Sequence, residues 1–174
     1  MELCLAPRVR KRLQRELRRA GTREIGGLLM GEHVGNELFR LVDISVQRSG
    51  GSHTCFIRSP KDHEDQLQRF FSRTGNNYAR FNYLGEWHSH PSFEPFPSPT
   101  DLVTMQSIVS DPVVGANFLV LLIARLGSDK RIEATATAFR AGTPPVSVAL
   151  LAEADAQACR AGIARRWLSM RGDG

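Results

Sequence analysis

Leu5, Val9, Leu13 and Leu17 recur at every fourth position, a spacing that lines them along one stripe of a helix. The residues between them are mostly arginine and form the wet face, and Gly21 is suited to end the helix. Beyond it the pattern changes to short apolar runs. Glu24–Met30 reads as a buried strand, Gly31–Gly35 as a turn, Glu37–Gln47 as a second strand and His53–Ile57 as a short third one. Ser59-Pro60-Lys61-Asp62 opens a helix, with Ser59 at the N-cap, Pro60 at the first helical position and Asp62 closing a capping box. Leu67, Phe70 and Phe71 supply its apolar face, and Gly75-Asn76-Asn77 stops it.

Arg80–His90 reads as another strand, followed by a loop dense in proline (Pro91, Pro95, Pro97 and Pro99). A helix over Thr100–Ser110 turns Leu102, Met105, Ile108 and Val109 inward, and Asp111-Pro112 ends it. Phe118–Leu126 is a continuous apolar run expected at the centre of a sheet, and the alternating Arg131–Arg140 is its hairpin partner. After Pro144-Pro145 the chain is rich in alanine, and a helical extension is expected over 146–174. With no repeat and no low-complexity linker, 174 residues make one α+β domain spanning 1–174.

Composition narrows the function. The longest apolar run, Phe118–Ala124, is far too short to cross a bilayer, and with a basic, periodic N-terminal stretch no signal peptide is expected. A cytoplasmic protein without membrane association is expected. Cys4, Cys55 and Cys159 form no CxxC pair, which argues against a disulfide framework or a thiolate metal site. Cys55, in its apolar strand, is expected to be a buried small residue. The net charge of +5 permits an acidic partner, and much of it comes from Arg8–Arg19 and Arg160–Arg171. Only Trp167 interleaves an aromatic there, so nucleic-acid binding is not expected.

The chemistry concentrates in Glu86-Trp87-His88-Ser89-His90-Pro91 and Ser98-Pro99-Thr100-Asp101. Side chains alternate along a strand, so His88 and His90 share a face and can reach one ion. Asp101 falls in the first turn of a helix, where the dipole favours a carboxylate. Two imidazoles and a carboxylate leave a fourth tetrahedral position for water, as catalytic zinc sites do. Each half has a plainer reading: a surface histidine pair, and a capping box from Ser98 to Asp101. Trp87, on the opposite face, is expected in the core. His33, His53 and His63 lack partner spacing and read as surface or hydrogen-bonded residues.

Taken together, the two halves resemble the JAMM (JAB1/MPN) motif: HxH, seven residues, Ser, two residues, Asp. Pro91 after the second histidine fits it, as does Glu24 ahead of the apolar, glycine-rich Ile25–Gly31. The resemblance covers about residues 5–140. It implies a mixed central β-sheet flanked by helices, a cytidine-deaminase-like architecture. It further implies one zinc ion on His88, His90 and Asp101, Glu24 as general base, and Ser98 as a donor to the oxyanion. Glu86, two residues before His88, is the rival base; only Glu24 carries the family's context. The implied reaction is hydrolysis of an amide at the C-terminus of a ubiquitin-like protein or its conjugate. The chain's compactness resembles stand-alone bacterial members that work with E1-like and E2-like enzymes, including in defence against phage. The tail is expected to add to a sheet edge between 71–81 and Ser92–Pro97, with Phe93 and Phe96 either gripping a partner or covering the loop. A small-substrate metallopeptidase and a non-catalytic scaffold are the alternatives.

Overall fold

A computed structural model of the chain describes residues 1–35, 37–47 and 60–152. The expected strand His53–Ile57, with its Cys55, lies outside those residues, as does everything beyond 152. The elements are β1 (Glu2–Leu5), α1 (Pro7–Ala20), β2 (Gly26–Gly35), β3 (Leu38–Ile44), α2 (Pro60–Arg73), β4 (Phe81–Ser89), α3 (Pro99–Ser110), β5 (Leu119–Leu126), β6 (Ile132–Phe139) and β7 (Val146–Ala152). No helix among the described residues is long and apolar enough to cross a membrane.

The first stripe folds as its spacing dictates. Val9, Leu13 and Leu17 are buried along α1, and Gly21 ends the helix in a left-handed conformation. These three side chains join Leu3, Leu29, Leu41, Trp87, Leu122, Ala136 and Val148, so all seven strands contribute to one core around α1. Two smaller apolar layers lie outside the strands. Phe70 of α2 packs with Met30 and Val42, and Met105 and Val109 of α3 pack with Leu121 and Ile123. Leu102, expected to face inward, is instead exposed on the first turn of α3.

The mixed helix-and-strand content is as expected, and α2 and α3 pack outside the strands, but the sheet is not an open layer. It closes into a barrel in the order β1-β3-β2-β4-β5-β6-β7. The closure depends on two strands that the hydrophobic pattern concealed. β1 pairs in parallel with both β3 and β7, so the four residues Glu2–Leu5 join the two ends of the sheet. Val146–Ala152, where the helical extension was expected to begin, is β7. Val146 and Val148 favour a strand, and pairing with β1 and β6 outweighs the helix propensity of the alanines.

Gly31–Gly35 is a second departure. The expected turn is absent, because β2 runs on to Gly35 and reverses at Glu37, whose φ is 59°. Gly31 serves packing: a Cβ there would collide with the Leu84 side chain.

Gly85 has the larger consequence. Its φ is 140°, and a Cβ would run into the Val120 carbonyl of β5. The register between β2 and β4 slips at this point, from Leu29↔Gly85 to Met30↔Tyr83. This bulge lets Leu84 and Trp87 both enter the core, which turns His88 outward. Gly85→Ala is expected to lower stability by about 3 kcal/mol or more, measured as a fall in the urea midpoint. A change below about 1 kcal/mol would show that the bulge tolerates a side chain.

Candidate metal centre

Trp87 anchors the site from behind. It is fully buried, and its Nε1–H donates to the Ser45 carbonyl at 2.9 Å. Strand alternation then places His88 and His90 together on the other face, with their Nε2 atoms 3.2 Å apart. The proline-rich loop returns the chain to Ser98, which caps α3. The capping box is present in full: Asp101 N–H donates to Ser98 Oγ, and the Asp101 carboxylate accepts from Ser98 N–H. This cap aims the carboxylate. Oδ2 accepts from Ser98 N and Oγ, both at 2.7 Å, and Oδ1 lies 3.5 Å from His88 Nε2.

The donor set fits a divalent ion with tetrahedral preference. One ligand atom from each of His88, His90 and Asp101 lies within 4.8 Å of the others. Donors held 2.0–2.1 Å from zinc at tetrahedral angles stand about 3.3 Å apart, close to the spacings found here. The protonation states suit it too. His90 Nδ1–H donates to the Glu94 carbonyl at 3.1 Å, which fixes the tautomer whose Nε2 carries a lone pair. Burial alone would raise the Asp101 pKa, but the hydrogen bond and charge of His88 and the two Ser98 donors hold it down to about 2. The carboxylate is therefore ionised at neutral pH.

Glu24 is brought to the same place by β2. Gly26 pairs with His88, and Ser89 grips the preceding residue from both sides. Ser89 N–H donates to the Ile25 carbonyl at 2.8 Å, and Ser89 Oγ accepts from Ile25 N–H at 3.0 Å. Glu24 is 5% exposed. Burial raises its pKa; the charges of His88 and His90 pull it down and that of Asp101 pushes it up, and the net direction is upward. Glu86 lies two residues before His88, opposite Leu28 and Leu121, outside the His88–His90–Asp101 cluster.

Ser98 differs from its expected geometry. Its hydroxyl hydrogen is directed at Asp101 rather than at open space. Of the other histidines, His33 is exposed and stacks on Phe39, while His63 is buried between Ser45 and Gln47.

Sequence reasoning missed Arg125, on β5. Its Nη1 donates to the Phe93 carbonyl at 2.9 Å, Nη2 pairs with Glu94 at 2.9 Å, and Nε donates to Glu133 at 2.7 Å. One guanidinium thus pins the loop whose Glu94 carbonyl orients His90. Thr135 Oγ1–H bonds the Pro95 carbonyl of the same loop. No local signal marks Arg125, because it lies 32 residues from Phe93 and reaches the loop only once β5 is set beside β4. Arg125→Ala is expected to weaken zinc affinity on the order of 10- to 100-fold in a chelator competition, with Arg125→Lys recovering only part of it for want of a planar fork. Unchanged affinity in both variants would remove Arg125 from the metal site.

The loop exposes Phe93 and Phe96, at 52% and 61%, with Val103 of α3 nearby in sequence at 71%. Phe93 stands edge-on to His90, with ring centroids 6.4 Å apart. The second expected wall is not at the site. Residues 71–80 precede β4, and Phe81 begins it, seven positions before His88 or about 23 Å at the rise of a strand. The barrel also gives every described strand a neighbour on each side, so the open sheet edge expected to receive a substrate tail is absent among the described residues.

Comparison with known proteins bears on the family and the fold. A protein of Vibrio cholerae serotype O1, named CD-NTase/cGAS isopeptidase, is 36% identical over 107 residues, 60% of this chain. The match spans 64% of that protein, less than two thirds of its length. The solution structure of protein DSY2949 from Desulfitobacterium hafniense shares the fold, with a TM-score of 0.60 at 18% identity over 87% of this chain and 92% of that one. Residues 6–141 match the family described as prokaryotic homologs of the JAB domain. The chain belongs to that family.

Proposed function

We propose that the protein is a zinc-dependent isopeptidase that hydrolyses the amide bond at the C-terminus of a ubiquitin-like protein, releasing a conjugate or trimming a precursor. The observation that carries this reading is the convergence of His88, His90 and Asp101 donors within 4.8 Å of one another, beside a buried Glu24 that feels the charge of all three. The isopeptidase name of the Vibrio cholerae relative supports the reaction class. Zinc held by these three residues would acidify a water and polarise the scissile carbonyl.

The chain's own groups supply the remaining chemistry. Glu24 accepts a proton from the attacking water and returns it to the leaving amine as the C–N bond breaks. Its raised pKa suits both halves of that exchange. Ser98 Oγ donates to the developing oxyanion after rotating from Asp101, which retains the Ser98 backbone N–H. Phe93 and Phe96 offer apolar area to the residues leading up to the scissile bond, and the loop replaces the sheet edge as the wall of the groove.

The proposed setting is a bacterial cytoplasmic conjugation system directed against phage, with E1-like and E2-like enzymes as partners. The test uses a ubiquitin-like protein joined by an isopeptide bond to a lysine of its target, followed by intact mass. Two products whose summed mass exceeds the conjugate by one water are expected. An unaltered conjugate, alongside cleavage of free short peptides, would favour a small-substrate peptidase instead.

A further inference from the structure

Six arginines converge on the flank of the barrel between α1 and α2, where the metal chemistry makes no use of them. Arg8 and Arg12 come from α1, Arg40 from β3, Arg69 and Arg73 from α2, and Arg80 from the turn before β4. They line two adjoining clefts of about 560 and 430 Å3 that share Arg73. The only carboxylates in these linings are Glu32 and Asp43. Six guanidinium groups against two carboxylates leave these linings with an excess of four positive charges.

The two carboxylates act as braces rather than as neutralisers. Glu32, 5% exposed, accepts Nε and Nη2 of Arg80 on one oxygen at 2.9 and 2.6 Å, with Arg40 Nη1 3.6 Å from the other. Asp43 joins Arg12 at 2.7 Å to Arg73 at 2.6 Å. Arg8 Nε donates to the Val42 carbonyl at 3.0 Å. A guanidinium has five N–H donors, more than the one or two that Asp43 engages on Arg12 and Arg73 and Glu32 on Arg80. The rotamer entropy that a ligand would otherwise have to remove is already lost in the free protein. Arg73 and Arg80 nonetheless remain largely open to solvent. Planar forks held in this way suit carboxylate recognition.

The lining also selects among anions. Bases of a single strand would need an aromatic platform. Phe70 is buried, and Phe81 lies beneath Arg80, whose guanidinium carbon is 5.2 Å from the ring centroid. Glu32 and Asp43 interrupt the positive track, which favours spaced carboxylates over a continuous run of phosphates. We infer that this flank is a docking site for an acidic segment of a protein partner. Glu32 is six positions along β2 from Gly26, the residue opposite His88. That is about 20 Å, so the cleft engages the body of a bound protein rather than the tail at the scissile bond. The inference is independent of the metal chemistry.

The test is fluorescence anisotropy on the full chain with two probes: a fluorescein-labelled octaglutamate peptide and an oligothymidylate of equal charge. The peptide is expected to bind more tightly than the oligonucleotide. Arg69→Glu/Arg73→Glu is expected to weaken peptide binding at least about 10-fold, a loss of 1.4 kcal/mol. Arg69→Gln/Arg73→Gln should fall between that variant and wild type, which guards against a folding defect. Arg18→Glu/Arg131→Glu makes the same charge change elsewhere and should leave affinity within about 2-fold. No peptide binding, tighter binding of the oligonucleotide, or equal loss in the control pair would each overturn the assignment.

Discussion

Glu24→Gln is expected to reduce hydrolysis by about 100- to 10,000-fold while leaving zinc affinity close to wild type. The substitution keeps the volume and hydrogen-bonding reach of the side chain but removes the basic oxygen. Glu24 is absent from the three-residue ligand cluster, so metal content should be insensitive to it. The pH dependence follows from the same group. The base works only when ionised, so activity falls as pH drops through the Glu24 pKa. Burial raises that pKa, which places the acid limb above the usual 4.5 of a glutamate. The profile is read from kcat/KM between pH 4 and 8. A fully active Glu24→Gln would transfer the role elsewhere, with Glu86 the first residue to examine.

His88→Ala is expected to lose both metal and activity. Two ligands cannot hold zinc against cellular competitors as three can, and the variant should retain less than about a tenth of wild-type metal after purification. Folding should survive the change, because Trp87 and the barrel core lie on the opposite face. Near-native circular dichroism together with absent zinc is therefore the diagnostic pair. Stoichiometric zinc in His88→Ala would show that the metal sits elsewhere.

The site was legible because its parts obey local rules. Strand alternation puts His88 beside His90, and the Ser98–Asp101 capping box aims the carboxylate. The distance between the two halves and the distant Glu24 resembled a family pattern that neither rule implies. The closure of the barrel was hidden, because β1 has only four residues and β7 looks helical by composition. Ser89 and Arg125 escaped for a related reason. Each acts through a contact set by strand register, Ser89 on Ile25 and Arg125 on the 91–97 loop, and register is a property of the assembled sheet. Gly31 and Gly85 illustrate the converse: Gly31 reads as the start of a turn and Gly85 as one more strand residue, yet both mark close approach once their neighbours are in place.

The most direct measurement of the central claim is isopeptide cleavage by the protein stripped of metal with a chelator, then reconstituted with one equivalent of zinc. Stripped protein is expected to be inactive and zinc to restore cleavage in wild type, with no restoration in His88→Ala or Glu24→Gln. Full activity in the stripped protein, at zinc levels verified to be substoichiometric, would contradict the metal mechanism.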